Sequence, residues 1–167
     1  MKLNLALVLV IYVAMFFCQP GSYAQKRPFR PEEPFSVSHY DPKRNASDDL
    51  KAAVAEAQRT GKRILLQVGG DWCVWCHKMD AFYQDHPELL ALRKQNYIFV
   101  KINFSLDNRN EEFLSHYPKI EGAPHIFILD QKGNLLRSED TGELELGKSY
   151  DLNKFLAFLK QFSPPTQ

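Results

Sequence analysis

The sequence predicts an α/β fold: a mixed central sheet with helices on both faces, finished by a C-terminal β-hairpin and a helix. Three observations carry that expectation. Short apolar runs of strand length, "RILLQVGG", "YIFVKINF" and "GAPHIFILD", alternate with segments of helical period. A "DQKG" turn joins the third run to "NLLRS", which returns as its antiparallel neighbour. The last patterned stretch, "YDLNKFLAFLKQF", sets Leu152, Phe155, Leu156 and Leu159 on one helical face.

Two segments of different character precede these elements. Lys2 is the only charge ahead of an apolar run over residues 3–17, and "CQPGSYAQ" then offers small residues at Ser22 and Ala24. A basic start, a short apolar core and a small-x-small site describe a secretory signal peptide, residues 1–24, cleaved after Ala24. The run falls short of the roughly 20 residues of a bilayer span, so no membrane insertion is expected after cleavage. Bulky Phe17 argues against lipidation of Cys18. The mature protein is therefore expected in the periplasm or outside the cell. Residues 25–46 read as an arm: prolines recur without a sustained period, which favours extended chain laid over the domain by Phe29, Phe35 and Tyr40.

The domain proper is expected over residues 47–162, with 163–167 as a disordered tail. Ser47 is placed to cap the first helix, Asp48 and Asp49 suit its positive end, and Gly61 offers a stop. "RILLQVGG" follows as a strand and runs directly into a helix through "CHKMDAFY". "HPELLALRKQ" starts a further helix with Pro87 in the first turn, where its missing N–H does no harm. After the second strand, "NEEFLSHY" reads as a short helix. Strands separated by helices suggest parallel pairing, and the "DQKG" hairpin adds an antiparallel one.

Composition excludes several partners. The chain is 44% hydrophobic and 25% charged with a formal net charge of +1, and no run of Lys or Arg suggests nucleic-acid binding. Loss of the signal peptide removes Cys18, leaving Cys73 and Cys76. In an oxidising compartment a pair at this spacing closes on itself. On a first helical turn the two Cα atoms lie about 5 Å apart, within disulfide reach. So small a loop stabilises a fold little, which disfavours a purely structural staple.

"CVWCH" supports more than one chemistry. As a dithiol, Cys73 at a helix N-terminus is ionised more easily by the unpaired N–H groups and the helix dipole, and it is expected exposed, with Cys76 one turn in and shielded. Cys73 then attacks and Cys76 resolves the mixed disulfide. His77 adds nearby positive charge, whereas Lys78 reads as a solvated helix face. As Cys-x-x-Cys-His the stretch also fits covalent attachment of c-type haem, with His77 as proximal ligand and His116 or His125 opposite. Zinc would need further ligands at set spacing, and no second cysteine pair exists. No metal or other cofactor is expected for the dithiol reading.

Taken together, "ILLQVGGDWCVWCHK", "FVKINF" and "IEGAPHIFILDQKGNLL" resemble the thioredoxin superfamily, in its small exported bacterial members with a Trp-Cys-x-x-Cys site. The resemblance covers residues 50–162 and implies a thioredoxin fold and a thiol–disulfide oxidoreductase. It further implies Trp72 before the nucleophile Cys73, Cys76 as resolving thiol, and Pro124 as a cis-proline facing the dithiol. The backbone at Ala123 would then pair with an extended substrate, flanked by His125 and by Trp75 as an apolar rim. Departures bear on redox direction. Gln67 occupies the position of the family's buried strand acid, so Lys101 lacks its acidic partner, and His125 replaces a threonine. Gln67, Lys101 and His77 are thus the residues expected to tune the thiols. Expected partners are proteins carrying disulfides or thiols and a second thiol–disulfide protein as electron donor or acceptor, met by a monomeric chain. A redox-inactive binding module of the same fold is the remaining alternative.

Overall fold

The computed structural model describes residues 39–165. The segment expected to be a signal peptide, the expected arm up to residue 38 and residues 166–167 of the expected tail lie outside the described residues. Among the described residues no helix is long and apolar enough to cross a membrane.

Helix α1 (Ala46–Thr60) is capped by Asn45, whose side chain accepts the Ser47 and Asp48 backbone N–H groups. The cap therefore falls two residues ahead of Ser47. The reason is packing: Ala46 is buried in the core and must lie within the first turn, while Arg44 holds the Asp49 carboxylate from outside the helix. Gly61, at φ 73°, ends the helix by donating to the Ala57 carbonyl at 2.9 Å.

Strand β1 (Arg63–Gly69) is central. On one side it pairs in parallel with β2 (Tyr97–Asn103), on the other antiparallel with β3 (His125–Leu129), and β4 (Leu135–Asp140) follows antiparallel at the edge. The sheet is mixed, as the sequence suggests, but β3 is not parallel to its predecessors. Asn103 and His125 both lie at the Gly69 end of β1. Between them stands only the one-turn helix α4 (Glu111–Leu114), about 6 Å long. The rest of residues 104–124 is loop, and the chain re-enters the sheet at the end it left, so β3 runs antiparallel to β1.

Alternation along the strands assigns the two faces. Ile64, Leu66, Val68, Ile98, Val100 and Ile102 turn toward α1 and α4, joined by Ala53, Ala57 and Phe113. Leu65, Tyr97, Ile126 and Ile128 turn the other way, toward α2 (Val74–Asp85), α3 (Pro87–Asn96) and α5 (Leu152–Gln161). Period-two geometry thus puts Gln67 and Lys101, which share the register of Leu65 and Tyr97, beneath the helices of this second face. A 3-10 turn (Thr141–Leu144) and a two-residue ribbon, β5 (Glu145–Leu146) with β6 (Ser149–Tyr150), carry the chain from β4 into α5. Asp151 caps α5 through the N–H groups of Asn153 and Lys154.

Phe155 anchors this layer. It is fully buried, with ring centroids of Tyr83, Tyr150 and Phe82 at 5.3, 5.7 and 6.1 Å. Phe155→Ala should lower stability by about 3–5 kcal/mol, through lost transfer energy and an unfilled cavity. Urea unfolding of the oxidised protein, with an unchanged denaturant slope, measures it.

Candidate active site

Strand β1 delivers the chain to Gly69 and Gly70, and a turn closed by the Cys73 N–H on the Gly70 carbonyl (2.9 Å) brings α2 back over the strand. Cys73 is the N-cap of α2, with extended backbone (φ −90°, ψ 106°). Its carbonyl accepts the His77 N–H at 3.2 Å, and its Sγ accepts the Cys76 N–H at 3.1 Å. Sulfur here occupies the place of a capping oxygen, where helix N–H groups favour negative charge. Cys73 and Cys76 are joined as a disulfide with Cα atoms 5.2 Å apart, as the spacing predicts.

Exposure differs from expectation. Cys76 is 0% exposed, and Cys73, expected open to solvent, is only 3% exposed. Tyr40 is buried with the two cysteines, and half-buried Trp75 and Ala123 pack against them. The Tyr40 main-chain N–H donates to Asp71 Oδ1 at 3.0 Å, which pins this segment beside the disulfide. Gly69 is required by the approach: a Cβ there would overlap both Cys76 Sγ and the Tyr40 ring and hydroxyl.

Under α2 lies a polar group whose members come from four segments. Gln67 Nε2 donates to the Tyr40 hydroxyl at 2.6 Å and faces Asp80 Oδ1 at 3.5 Å. Lys101 Nζ donates to Asp80 Oδ2 at 2.6 Å and stands 4.7 Å from the Tyr40 ring centroid. Lys101 therefore does have an acidic partner, contributed by the helix rather than by the strand. Asp80 was legible as a candidate: it sits four residues after Cys76, on the same helical face. Gln67 Oε1 is buried without a hydrogen-bond partner. Burial pushes the Tyr40 phenol well above its ordinary pKa, against the Gln67 hydrogen bond.

The proline side of the site is equally well defined. The Ala123–Pro124 peptide is cis, and the Pro124 carbonyl accepts the Thr141 hydroxyl at 2.5 Å. His125 is buried, with Nε2 2.8 Å from Ser138 Oγ and its ring 4.7 Å from Phe127. Its side chain is thus engaged within the sheet. Burial holds its imidazole below the ordinary pKa, partly offset by Asp140.

Among the sequence-predicted aromatics it is Trp72 that stands out, 59% exposed, beside Val74 at 66%. The Trp72 indole N–H donates to the Phe104 carbonyl at 2.8 Å and borders a cleft of about 560 Å³ with Leu106 and Arg109. Trp75 is half-buried, edge-on to Tyr150 at 5.5 Å. Lys78 is not merely solvated: its Nζ lies 3.9 Å from the Trp75 ring centroid and donates to the Lys148 carbonyl. His77 is exposed, and its Nε2 lies 2.7 Å from the Asp71 carbonyl. A carbonyl can only accept, so that nitrogen carries the hydrogen.

Comparison with known proteins gives this arrangement its family. The chain matches the thioredoxin-like family over residues 45–131. It belongs to the thioredoxin-like family. Curated relatives include the thiol:disulfide interchange protein DsbD of Pseudomonas fluorescens, 32% identical over 110 residues, 65% of this chain and 18% of that protein. The DsbD of Colwellia psychrerythraea is 26% identical over 135 residues, 80% of this chain and 22% of that one. The chain thus spans about a fifth of the length of these relatives. Among solved structures, a disulphide isomerase from Xylella fastidiosa is 27% identical with a TM-score of 0.63, covering 73% of this chain and 94% of that one. The C-terminal domain of Neisseria meningitidis DsbD in its oxidised form shares the fold, with 21% identity, a TM-score of 0.52, and coverage of 75% and 99%. In this chain the thioredoxin-like domain carries its Cys-x-x-Cys disulfide at the start of α2.

Two outcomes test the site's packing and electrostatics. Gly69→Ala should lower stability by about 1–3 kcal/mol through overpacking against sulfur and phenol, read by denaturant unfolding of the oxidised protein. The lowered pKa of His125 means that the unfolded chain takes up its proton first on acidification. Its contribution to stability is present above the ordinary value of about 6.5 and is lost as pH falls from there through the lowered folded value. Melting temperatures across that window should decline in the wild type and decline less in His125→Gln.

Proposed function

We propose that this thioredoxin-like protein exchanges disulfides with other proteins outside the cytoplasm, with Cys73 as the attacked and attacking sulfur and Cys76 as the resolving one. The observation that carries this assignment is the cap geometry: Cys73 Sγ occupies the N-terminus of α2 and accepts a helix N–H, while Cys76 lies wholly inside. A thiolate at Cys73 is held by the helix end, and an incoming sulfur meets Cys73 before Cys76.

In the oxidised state a substrate thiolate attacks Cys73 Sγ in line with the S–S bond. A mixed disulfide forms and the electron pair leaves on Cys76 Sγ. In the reverse sense, the Cys76 thiolate attacks Cys73 Sγ and expels the substrate sulfur. The potentials of the partners decide which sense prevails, and a second thiol–disulfide protein resets the site. The backbone at Ala123, ahead of the cis-proline, pairs with an extended substrate segment in the manner of an added strand. Trp72 and Val74 supply an exposed apolar collar for that segment. Half-buried Trp75, braced by Tyr150 and Lys78, backs it from the helix side. Gln67, Lys101 and His77 set the charge environment of the pair. Export rests on the signal-like residues 1–24.

Cys73→Ser should reduce dithiothreitol-driven reduction of insulin to the uncatalysed background. Cys76→Ser should accumulate a mixed disulfide with a thiol-bearing substrate, visible on a non-reducing gel. Exchange that persists in Cys73→Ser refutes the assignment.

A further inference from the structure

Tyr40 is buried beside the disulfide and has no task in the exchange reaction described above. It precedes the matched segment 45–131, yet its ring is enclosed with Cys73 and Cys76. A phenol has one hydrogen to donate and lone pairs with which to accept. Gln67 fills an accepting position, because Nε2 rather than Oε1 faces the phenol: Asp80 Oδ1 lies 3.5 Å from the same nitrogen, and a carboxylate requires a donor there. The phenolic hydrogen is left for another acceptor. Cys76 Sγ shares with the Tyr40 hydroxyl the space that Gly69 leaves open, since a Cβ at that glycine would overlap both. Burial keeps the phenol protonated, so it remains a donor at every working pH.

We propose that Tyr40 serves the exchange by donating its hydroxyl to Cys76 Sγ when the disulfide opens, holding the charge of the buried leaving sulfur. The inference rests on Cys73 being the attacked sulfur. When a substrate thiolate bonds to Cys73 Sγ, the S–S electron pair passes to Cys76 and a negative charge appears where water does not reach. The O–H bond of Tyr40 stays intact, and no proton or electron beyond that pair moves. On closure the same hydrogen bond keeps Cys76 ionised until it attacks Cys73. Other charged or titratable groups facing the phenol are Asp71 from the loop after β1, Asp80 from α2, Lys101 from β2 and Tyr150 from β6.

Tyr40→Phe in the full chain removes the hydroxyl and keeps the ring. Reduction of the disulfide by dithiothreitol should slow about tenfold, the equivalent of about 1.4 kcal/mol, close to the lower end for hydrogen bonds to charged groups. In the Cys73→Ser background, the pH midpoint for alkylation of Cys76 should rise when Tyr40→Phe is added. A purely space-filling role moves the melting temperature but neither of these, so a wild-type rate with an unmoved midpoint overturns the proposal. Should Tyr40→Phe not fold, the native reduced chain labelled with ¹³C-tyrosine answers the same point. The Tyr40 Cζ resonance should shift as Cys76 titrates, and a flat resonance overturns the proposal. Persistent exchange in Cys73→Ser alone removes the assignment of Cys73, whereas an active wild type indifferent to Tyr40→Phe removes only the role of Tyr40.

Discussion

The Cys76 sulfur lies against backbone that carries no side chain, and the site is arranged around that contact. Gly69 permits the contact, and it terminates β1 where α2 must begin. With Cys76 fixed one turn inside α2, Cys73 falls at the N-cap and its sulfur takes up the role of a capping oxygen. The same helix then runs across the face of the sheet that carries Gln67 and Lys101. Asp80, one turn beyond Cys76, meets both. A bond, a helix cap and a charge pair are therefore consequences of one close approach, and they stand or fall together.

Buried polarity is distributed unevenly in this domain. Asp49 and Glu56, on α1, are each gripped by a neighbouring arginine and do little but hold that helix. Beneath α2 the situation is different: Gln67 is fully buried with one oxygen lacking a partner, a condition that costs about 1–3 kcal/mol. An apolar side chain at that position would remove the unpartnered oxygen. What it would not do is orient the Tyr40 hydroxyl. The polar group is better understood through the sulfur chemistry above it than through stability.

Much of the architecture was legible in the sequence because periodicity reports burial directly. The apolar runs became strands, the Leu152-to-Leu159 face became α5, and the Cys-x-x-Cys spacing became a disulfide at a helix start. The direction of β3 was not legible, because residues 104–124 are long enough for either pairing sense and their period does not say at which end the chain re-enters the sheet. The closed environment of Cys73 was missed for a related reason. Its cover comes from Tyr40, in a stretch with no period to read, and only the Asp71 anchor and the Gln67 hydrogen bond fix its place. The acid beside Lys101 was sought on the strand and proved to be Asp80 on α2, where helical rather than strand spacing points to it. The β5–β6 ribbon is too short to give any pattern.

Both peptide groups of Phe104 are engaged at the edge of the site. Its N–H donates to the Gly69 carbonyl at 2.6 Å, and its carbonyl accepts the indole N–H of Trp72 at 2.8 Å. The residue leaving β2 thus ties the end of the neighbouring strand to the most exposed aromatic ring of the site. An unrestrained surface side chain surrenders rotational freedom when a partner settles on it, and that loss weakens association by about 0.5–1.5 kcal/mol for each side chain immobilised. Here the tryptophan has lost much of that freedom on folding. A ring already held in place forfeits less on contact than one that must first be ordered.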